Sequence, residues 1–448
     1  MAKGKTPILI ESHVDLEPAV RERSVPVPDR LHQNTATAVY VARRRRVLTV
    51  TLLVAAGCVN YLDRSALSIG NPVIRSSLHL SFGQMGLLLA VFAWAYGLAQ
   101  LPAGALIDRF GPRRTLGAGL VLWSAAQVSA SFVTGLWSFL AARAALGVGE
   151  SPMYIGGTRV CADWFAVHER ALPISLFNAS SALAPALAPP ILTALMLAFG
   201  WRGMFFAAGL AVALAWAAYY RSPKEMGFSG SGTIPIHDEA GDEQAPRGLF
   251  WLLRFPATWA MFFGFFGVIY VSWLYATWLP AYLENDRHLS LASAGFWSSV
   301  PLMAGFAGAL AAGFIARGLG RLGIAPAAAC LLPVIAGMVL ASVCTVAGAL
   351  AAHLGPTIGL MAAGLFGANL ASSCGWALAA IIAPNRAVAT LEAVQNVGAS
   401  MGGALAPLIT GLVVQKTGSF FPAFALAAGI ALASALIYGI GARGRIGG

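Results

Sequence analysis

Two pairs of opposite charges interrupt apolar stretches of this sequence. The stretch NYLDRSALSIG places Asp63 and Arg64 between uncharged residues on both sides, and RAALGVGESPMY places Arg143 and Glu150 two helical turns apart on one helix face. A charge inside a membrane costs about 2.5–3.5 kcal/mol on insertion scales, so such residues face a cavity or pair with one another. A purely structural ion pair is the alternative interpretation.

These four side chains have the chemistry that proton-coupled uptake of an anion needs. Carboxylates in a membrane cavity can take up protons on one side and release them on the other, whereas arginine stays charged and binds a carboxylate through a planar fork. At 1.5 Å per residue, Asp63 and Arg143 lie about 9 and 10 Å from the outer ends of their spans, and Glu150 lies about 10 Å deeper. We therefore predict a ladder of alternating charge along one aqueous path, with Arg143 as the partner of Asp63.

The elements that must position these charges are membrane-spanning helices. Of the 448 residues, 58% are hydrophobic and 10% are charged, whereas soluble domains carry about 25% charged residues. Apolar windows able to cross a hydrocarbon core of about 30 Å recur about twelve times. Their predicted limits are 47–72, 84–107, 115–133, 136–158, 172–197, 203–220, 257–283, 292–315, 325–350, 354–382, 387–413 and 420–441. The chain is therefore predicted to be an all-α membrane protein.

The longest polar break separates these spans into two equal sets. It contains SGSGTIPIHDEAGDEQAPR, a composition typical of a linker. The predicted regions are an N-terminal tail (1–46), a six-helix half (47–220), a linker (221–256), a second six-helix half (257–441) and a C-terminal tail (442–448). Two halves related by pseudo-two-fold symmetry would hold a binding site at their interface, near the middle of the bilayer.

The distribution of basic residues predicts the orientation in the membrane. The first 45 residues lack an apolar h-region, which predicts no cleaved signal peptide, and arginine fills positions 43–46. Most later loop arginines fall on the same side as this run, so both termini are predicted to be cytoplasmic. The same rule explains the net charge of +11, so nucleic acid is not an expected partner. Anionic membrane lipid is the simpler partner of this charge.

Cysteine and histidine residues predict no metal or redox centre. The five cysteines are scattered and mostly inside spans, and the seven histidines lie in tails, loops or span ends. The sequence also lacks a recognisable nucleophile, metal cluster or nucleotide loop, so an enzyme is not expected. We expect no cofactor, with the proton as the coupling ion.

The loop between the second and third spans reads GALIDRFGPRR. Its charge alone fits any cytoplasmic loop. As a whole it resembles the cytoplasmic loop signature of the major facilitator superfamily, with Pro112 as the one departure. The resemblance implies a clamp that holds the two halves together in the outward-facing state. Its residues are Gly104, Asp108, Arg109, Gly111, Arg113 and Arg114. The corresponding loop of the second half, GFIARGLGRLG, has no aspartate, so clamping there would be weaker or different.

Further stretches narrow the resemblance. YLDR, RAALGVGE, GWRGMFF, WLPAYL and QNVGASMGGALAPLITG together resemble the anion:cation symporter family of that superfamily, over nearly all of 47–440. That family includes bacterial permeases for sugar acids and aromatic acids, and vesicular carriers for glutamate and phosphate. The resemblance implies that Asp63 and Glu150 are the protonatable pair and that Arg64 binds the substrate carboxylate. It also implies that Arg143 supports the acids.

The resemblance also implies a set of residues that line the substrate cavity. They are Tyr96, Ser373, Trp376 and Asn396. Packing of the two aromatic residues, and a helix-to-helix hydrogen bond for the asparagine, are the alternatives. Ser181 and Tyr275 complete the predicted site. Short polar groups near Ser181 stand where sugar-acid members often carry a longer amide, and the aromatic residues around Tyr275 favour a less hydroxylated, aromatic monocarboxylate.

The sequence therefore predicts a monomeric secondary transporter in a bacterial inner membrane. It would import an organic anion, such as a sugar acid or an aromatic acid, by proton symport with alternating access. An organic-anion uniporter or exchanger without proton coupling is one alternative, and a transporter-like sensor or receptor is another.

Overall fold

The computed structural model describes residues 29–165, 171–221, 249–384 and 387–442, together with residue 446. Every regular element in these ranges is helical. The helices are α1 (Asp29–Ile69), α2 (Asn71–Leu78), α3 (Phe82–Phe110), α4 (Pro112–Ser129, extended by a 3-10 turn at Ala130–Phe132), α5 (Leu136–Glu150), α6 (Pro152–Trp164), α7 (Ala171–Arg221), α8 (Leu249–Leu252), α9 (Pro256–Asn285), α10 (Leu291–Arg321), α11 (Pro326–Leu350), α12 (Leu354–Ile382), α13 (Val388–Thr417) and α14 (Phe421–Gly441). Residues Arg46–Gly448 form one compact unit.

All the predicted spans fall on helices. In the described ranges, nine helical segments are long and apolar enough to cross a membrane. The third predicted span is α4, and the fourth is divided between α5 and α6 at Pro152. The fifth and sixth spans are both contained in α7, whose backbone turns at Gly200 with a φ of 69°. We refer to α1–α7 as the N-terminal half and to α9–α14 as the C-terminal half.

The first span continues further than its apolar pattern predicts. The N–H of Gly70 donates to the carbonyl oxygen of Ala66 at 3.0 Å, and the N–H of Ile74 donates to that of Gly70 at 2.8 Å. These hydrogen bonds have the spacing of an α-helix, so α2 extends the direction of α1 to Leu78. The predicted end at residue 72 is therefore too early, because the polar residues after it remain helical.

The two halves contact each other at the end of the bundle where α2 joins α3. The hydroxyl of Ser68 donates to the carbonyl oxygens of Ala276 and Thr277 at 2.8 and 2.7 Å. The N–H of Gly83 donates to the side-chain oxygen of Gln415 at 2.8 Å. These hydrogen bonds connect α1 to α9 and α3 to α13, and they hold this end of the bundle closed.

Small residues bring the helices close together at the closed end. A Cβ on Gly86 would collide with the carbonyl oxygen of Pro407, and one on Gly295 would collide with Thr193. Such residues allow the backbones of membrane helices to approach one another. Further along α3, a Cβ on Gly97 or Gly104 would enter open space.

Candidate functional site

Arg64 is held in place by one acid and three aromatic rings. Its Nε donates to Oε2 of Glu150 at 2.9 Å. Its guanidinium carbon lies 4.8 Å from the ring centre of Tyr61, 5.0 Å from that of Phe92 and 4.5 Å from that of Tyr96. Aromatic rings attract a cation to their faces, so this cage fixes the guanidinium while its Nη2 keeps no hydrogen-bond partner.

Arg64 meets Glu150 because the two residues lie at the same distance from the closed end. At 1.5 Å per residue, Arg64 lies about 21 Å before the end of α2 at Leu78, and Glu150 lies about 21 Å after the start of α5 at Leu136. The predicted order of the ladder is therefore wrong. The prediction placed the outer end of the first span only about 9 Å beyond Asp63. This put Asp63 and Arg64 level with Arg143 instead of Glu150.

Asp63 is fully buried and is held by neutral donors. Its Oδ2 accepts from Nε1 of Trp123 at 2.6 Å, and its Oδ1 accepts from Nε2 of Gln127 at 3.2 Å. Neighbouring residues diverge by about 100° around a helix, so Asp63 turns to α4 while Arg64 turns to α5. The hydrogen-bond partners of Asp63 among the described residues are thus on α4. Arg143, its predicted partner, forms no hydrogen bond with it but lies close enough to interact with it electrostatically.

Arg143 is a second buried cation near the same cluster. Its guanidinium carbon lies 5.1 Å from the ring centre of Phe92, the ring that Arg64 also contacts. The side chain is 2% exposed, and its Nε and Nη1 have no hydrogen-bond partner. Buried donors without partners are costly, so Arg143 is available to a carboxylate that moves toward it.

A cavity of about 210 Å³ separates the two halves beside Arg64. Its polar lining comprises Tyr61, Ser65 and Ser181 of the N-terminal half and Ser272, Thr277 and Asn369 of the C-terminal half. Its apolar lining includes Pro185, Trp273, Leu302, Phe306 and Leu365. The cavity therefore combines one guanidinium with several hydroxyl groups and one amide.

Two of the other predicted site residues line this cavity or contact Arg64. Ser181 is part of the lining, and Tyr96 contacts Arg64. Tyr275 lies elsewhere: it is fully buried, and its hydroxyl shares a hydrogen bond of 2.9 Å with that of Thr345 on α11. In this structure Tyr275 therefore packs inside the C-terminal half, because its position on α9 points away from the interface.

Three further predicted residues lie outside the lining of this cavity. Trp376 on α12 is 38% exposed, and its ring centre lies 4.9 Å from that of Phe265. Ser373 is partly buried on the same helix, and Asn396 is exposed on α13. Their predicted contact with substrate remains a prediction.

Sequence reasoning missed two residues of the site. Asn369 lines the cavity, and Trp123 holds Asp63. Trp273, one of the aromatic residues around Tyr275 that the sequence predicts near the substrate, also lines the cavity. A signal existed for Asn369, a polar residue within an apolar span. Trp123 has no comparable signal in the sequence, because an aromatic residue in a membrane helix usually packs against its neighbours.

The predicted clamp loop forms the tight turn between α3 and α4. Gly111 ends α3 with a φ of 81°, a conformation that favours glycine, and Pro112 begins α4. Proline is well suited to the first turn of a helix, which explains the departure from the family signature. Arg109 lies over the ring of Phe110 at 5.2 Å, and the side chain of Asp108 lies outside the described residues.

The described residues include no group of three or more His, Cys, Asp or Glu side chains that could hold a metal ion. The cysteines at positions 58, 161, 330, 344 and 374 are free thiols. The candidate site therefore consists of the buried charges and the cavity between the halves.

Residues 53–391 match the family model described as Major Facilitator Superfamily. The chain belongs to the major facilitator superfamily. It is 36% identical over 425 residues to the probable L-galactonate transporter of Escherichia coli K12, which covers 92% of each chain. It is 30% identical over 413 residues to the D-galactonate transporter of Escherichia coli O6:H1, covering 88% of this chain and 95% of that one. The Bacillus subtilis 168 hexuronate transporter is 29% identical over 394 residues, covering 86% and 92%.

Solved structures of the major facilitator superfamily have the same fold. A bacterial homologue of the human lysosomal transporter Spinster, in an inward-facing and unoccupied conformation, matches with a TM-score of 0.71 and 18% identity over 89% of this chain and 95% of that one. A D-xylose–proton symporter matches with a TM-score of 0.70 and 13% identity over 88% and 97%. Identities this low support the fold only.

These comparisons confirm the predicted major facilitator fold and the resemblance to bacterial sugar-acid permeases. The protein is a multi-pass membrane transporter and not an enzyme, because its family and its relatives are transporters. The domain limits, the roles of the site residues, the absence of a cofactor and the monomeric state stay predictions.

Proposed function

We propose that this transporter imports a sugar acid together with a proton, by alternating access across a bacterial inner membrane. The ion pair between Arg64 and Glu150, at the edge of a cavity between the halves, carries this proposal. Glu150 accepts a hydrogen bond from the Nε of Arg64. The other N–H groups of this guanidinium therefore remain for a substrate carboxylate. The relatives named as galactonate and hexuronate transporters support a sugar acid over an aromatic acid.

The cavity lining supports the same choice of substrate. A sugar acid carries one carboxylate and several hydroxyl groups, and a purely apolar cavity wall would leave those hydroxyl groups unpaired. Here Ser272, Thr277 and Asn369 face it from the C-terminal half and Ser65 and Ser181 from the N-terminal half. Specific recognition of hydroxyl groups requires such a small number of placed polar groups.

Proton coupling follows from competition for one guanidinium. In the substrate-free state, ionised Glu150 neutralises Arg64. A proton on Glu150 removes that negative charge, and the substrate carboxylate takes its place at Arg64. When the proton leaves on the opposite side, Glu150 pairs with Arg64 again and displaces the substrate. One proton and one anion would then cross in the same direction.

Alternating access is supported by the closed end of the bundle. The hydrogen bonds of Ser68 and Gly83 to the C-terminal half seal the cavity at that end. The basic loops predict that this end is the outer one, which would make this state inward-facing. Import requires that these hydrogen bonds break when the outer end opens.

Uptake into proteoliposomes tests the proposal. With radiolabelled L-galactonate or D-galactonate outside, we expect accumulation when the outside is more acidic, and loss of accumulation when a protonophore collapses the gradient. Liposomes without protein provide the background. Uptake that reaches only the outside concentration and ignores the gradient would indicate a uniporter. Uptake that requires preloaded anion inside would indicate an exchanger.

A further inference from the structure

A second cavity lies within the N-terminal half, away from the proposed substrate site. It has a volume of about 450 Å³. Ala99 and Pro102 of α3, Ala118 and Leu122 of α4, and Pro152 of α6 are part of its lining. Helices α3 and α4 both pack closely against α5 but contact each other only sparsely. The cavity is therefore a groove between α3 and α4, with α5 and α6 behind it.

The walls of this groove present hydrocarbon to an occupant. The hydroxyl of Thr115 donates to the carbonyl oxygens of Leu106 and Gly111 at 3.2 and 3.1 Å, and that of Ser151 donates to Val148 at 2.8 Å. These two polar side chains are thus already satisfied by backbone. Leu106 and Val148 are each 45% exposed, so the groove opens on the surface that a membrane helix turns to the bilayer.

The length of the groove matches one leaflet of a bilayer. Its lining on α3 extends from Ala99 to Phe110, which is about 16 Å at 1.5 Å per residue. The hydrocarbon core of a bilayer is about 30 Å thick, so one leaflet is about half of that. An acyl chain that enters from this leaflet would follow the groove along its whole length.

Positive charge marks one end of the groove. Arg114 lines the cavity at the start of α4 and is exposed. Arg109 and Arg113 lie in the same turn of the chain, and this end is predicted to be cytoplasmic. Basic residues at the cytoplasmic surface attract the anionic headgroups of that leaflet. The groove therefore combines hydrocarbon walls with a cation where a lipid phosphate would lie.

We propose that this groove binds one anionic phospholipid. Its acyl chain lies between α3 and α4, and its phosphate contacts Arg114. The apolar walls select an occupant from the bilayer, and the arginine selects an anionic headgroup over a zwitterionic one. The proposal concerns a face of the N-terminal half outside the substrate cavity, and it is independent of substrate identity and of proton coupling.

Native mass spectrometry of the full-length protein in detergent tests the proposal. The probes are phosphatidylglycerol and phosphatidylcholine with identical acyl chains, added in equal amounts. We expect one phosphatidylglycerol to be retained in preference to phosphatidylcholine. Arg114→Ala should lower the apparent affinity for phosphatidylglycerol about tenfold through loss of a charge-assisted contact, and Arg114→Lys should largely preserve it. Arg317→Ala removes an exposed arginine of α10 and should change nothing.

A second variant tests the groove itself. Ala118→Trp should fill it and reduce retention of both lipids, and Leu122→Trp at its exposed edge serves if the first variant does not purify as a monodisperse protein. Equal retention of the two lipids by the parent would overturn the selection of an anionic headgroup. Retention of phosphatidylglycerol at the parental level by monodisperse Ala118→Trp or Leu122→Trp protein would place the lipid elsewhere and overturn the site.

Discussion

Asp63 of α1 and Glu150 of α5 are both fully buried acids, but their surroundings differ. Glu150 pairs with Arg64, whose guanidinium also borders the cavity between the halves. Asp63 accepts hydrogen bonds from Trp123 and Gln127, two neutral donors of α4. The charge of Glu150 is therefore linked directly to the cation proposed to bind substrate, whereas the charge of Asp63 is not.

The sequence predicts the same proton-coupling role for both acids. The difference in their surroundings indicates two different roles. An acid that shares its cation with the substrate can convert protonation into substrate binding, because both compete for the same donors. An acid held by neutral donors on another helix affects the arrangement of α1 and α4 instead. We therefore expect Glu150 to be the coupling acid and Asp63 to support it.

The largest expected effect comes from Arg64→Ala. It removes the proposed anion ligand and leaves Glu150 buried without a cation, so we expect galactonate binding to fall more than about 100-fold, with a loss of roughly 3–5 kcal/mol in the free energy of unfolding. Arg64→Lys should not restore binding, because a lysine cannot reproduce the planar fork. Calorimetric titration measures the affinity. Unchanged affinity in the Ala variant would move the anion site elsewhere, with Arg143 as the next candidate.

Glu150→Gln is the sharpest test of coupling. Glutamine keeps the shape of the side chain but has no titrating charge, so gradient-driven accumulation should be lost while exchange of labelled for unlabelled substrate persists. Glu284→Gln, at the far end of α9, is the matched control and should accumulate substrate as the parent does. Accumulation by Glu150→Gln at the parental level would remove Glu150 from the coupling step.

Asp63→Asn should have a smaller effect than Glu150→Gln. Its side-chain oxygen can still accept from Trp123, and Gln127 can rotate its amide because its oxygen has no other partner. We expect gradient-driven uptake to fall several-fold, with galactonate affinity changed by less than about threefold. The same proteoliposome and calorimetric assays apply. If Asp63→Asn loses accumulation as completely as Glu150→Gln, the two acids have equal roles.

Trp123→Phe tests the neutral donor of Asp63 directly. It keeps the aromatic packing but removes the hydrogen bond of 2.6 Å, so the apparent free energy of unfolding should fall by about 1.5–3 kcal/mol. Thermal unfolding in detergent measures the change. Trp94→Phe alters an exposed tryptophan of α3 and should shift the melting temperature little. Equal shifts for the two variants would show that the hydrogen bond to Asp63 contributes little.

The smallest expected effect concerns recognition by the C-terminal half. Asn369→Ala removes an amide from the cavity wall and should weaken binding of galactonate about two- to tenfold, the value of one lost hydrogen bond. Binding of a simple monocarboxylate without hydroxyl groups should not change, because Arg64 remains. Ser342→Ala, outside the cavity lining, serves as the control. Equal weakening of binding for both anions would argue against a role of Asn369 in recognising the hydroxyl groups of the substrate.

The apolar windows of the sequence predicted where the helices lie, because a hydrocarbon core requires about 20 apolar residues per span and internal backbone hydrogen bonds. The buried charges were also visible, since Asp63, Arg64, Arg143 and Glu150 stand out against apolar neighbours. The turn at Gly111 and Pro112 followed from local conformational preferences. These features depend on the chain close to each residue, so the sequence by itself determined them.

Only the tertiary structure decided which acid meets which cation. The depth of Arg64 depends on the helical continuation through Gly70, a residue that often ends helices, and the rotation of α9 turns Trp273 rather than Tyr275 to the cavity. Trp123 reaches Asp63 because α4 packs beside α1 at that height. Side-chain pairing between helices depends on their relative depth and rotation, and those quantities are set by the packing of all the helices together.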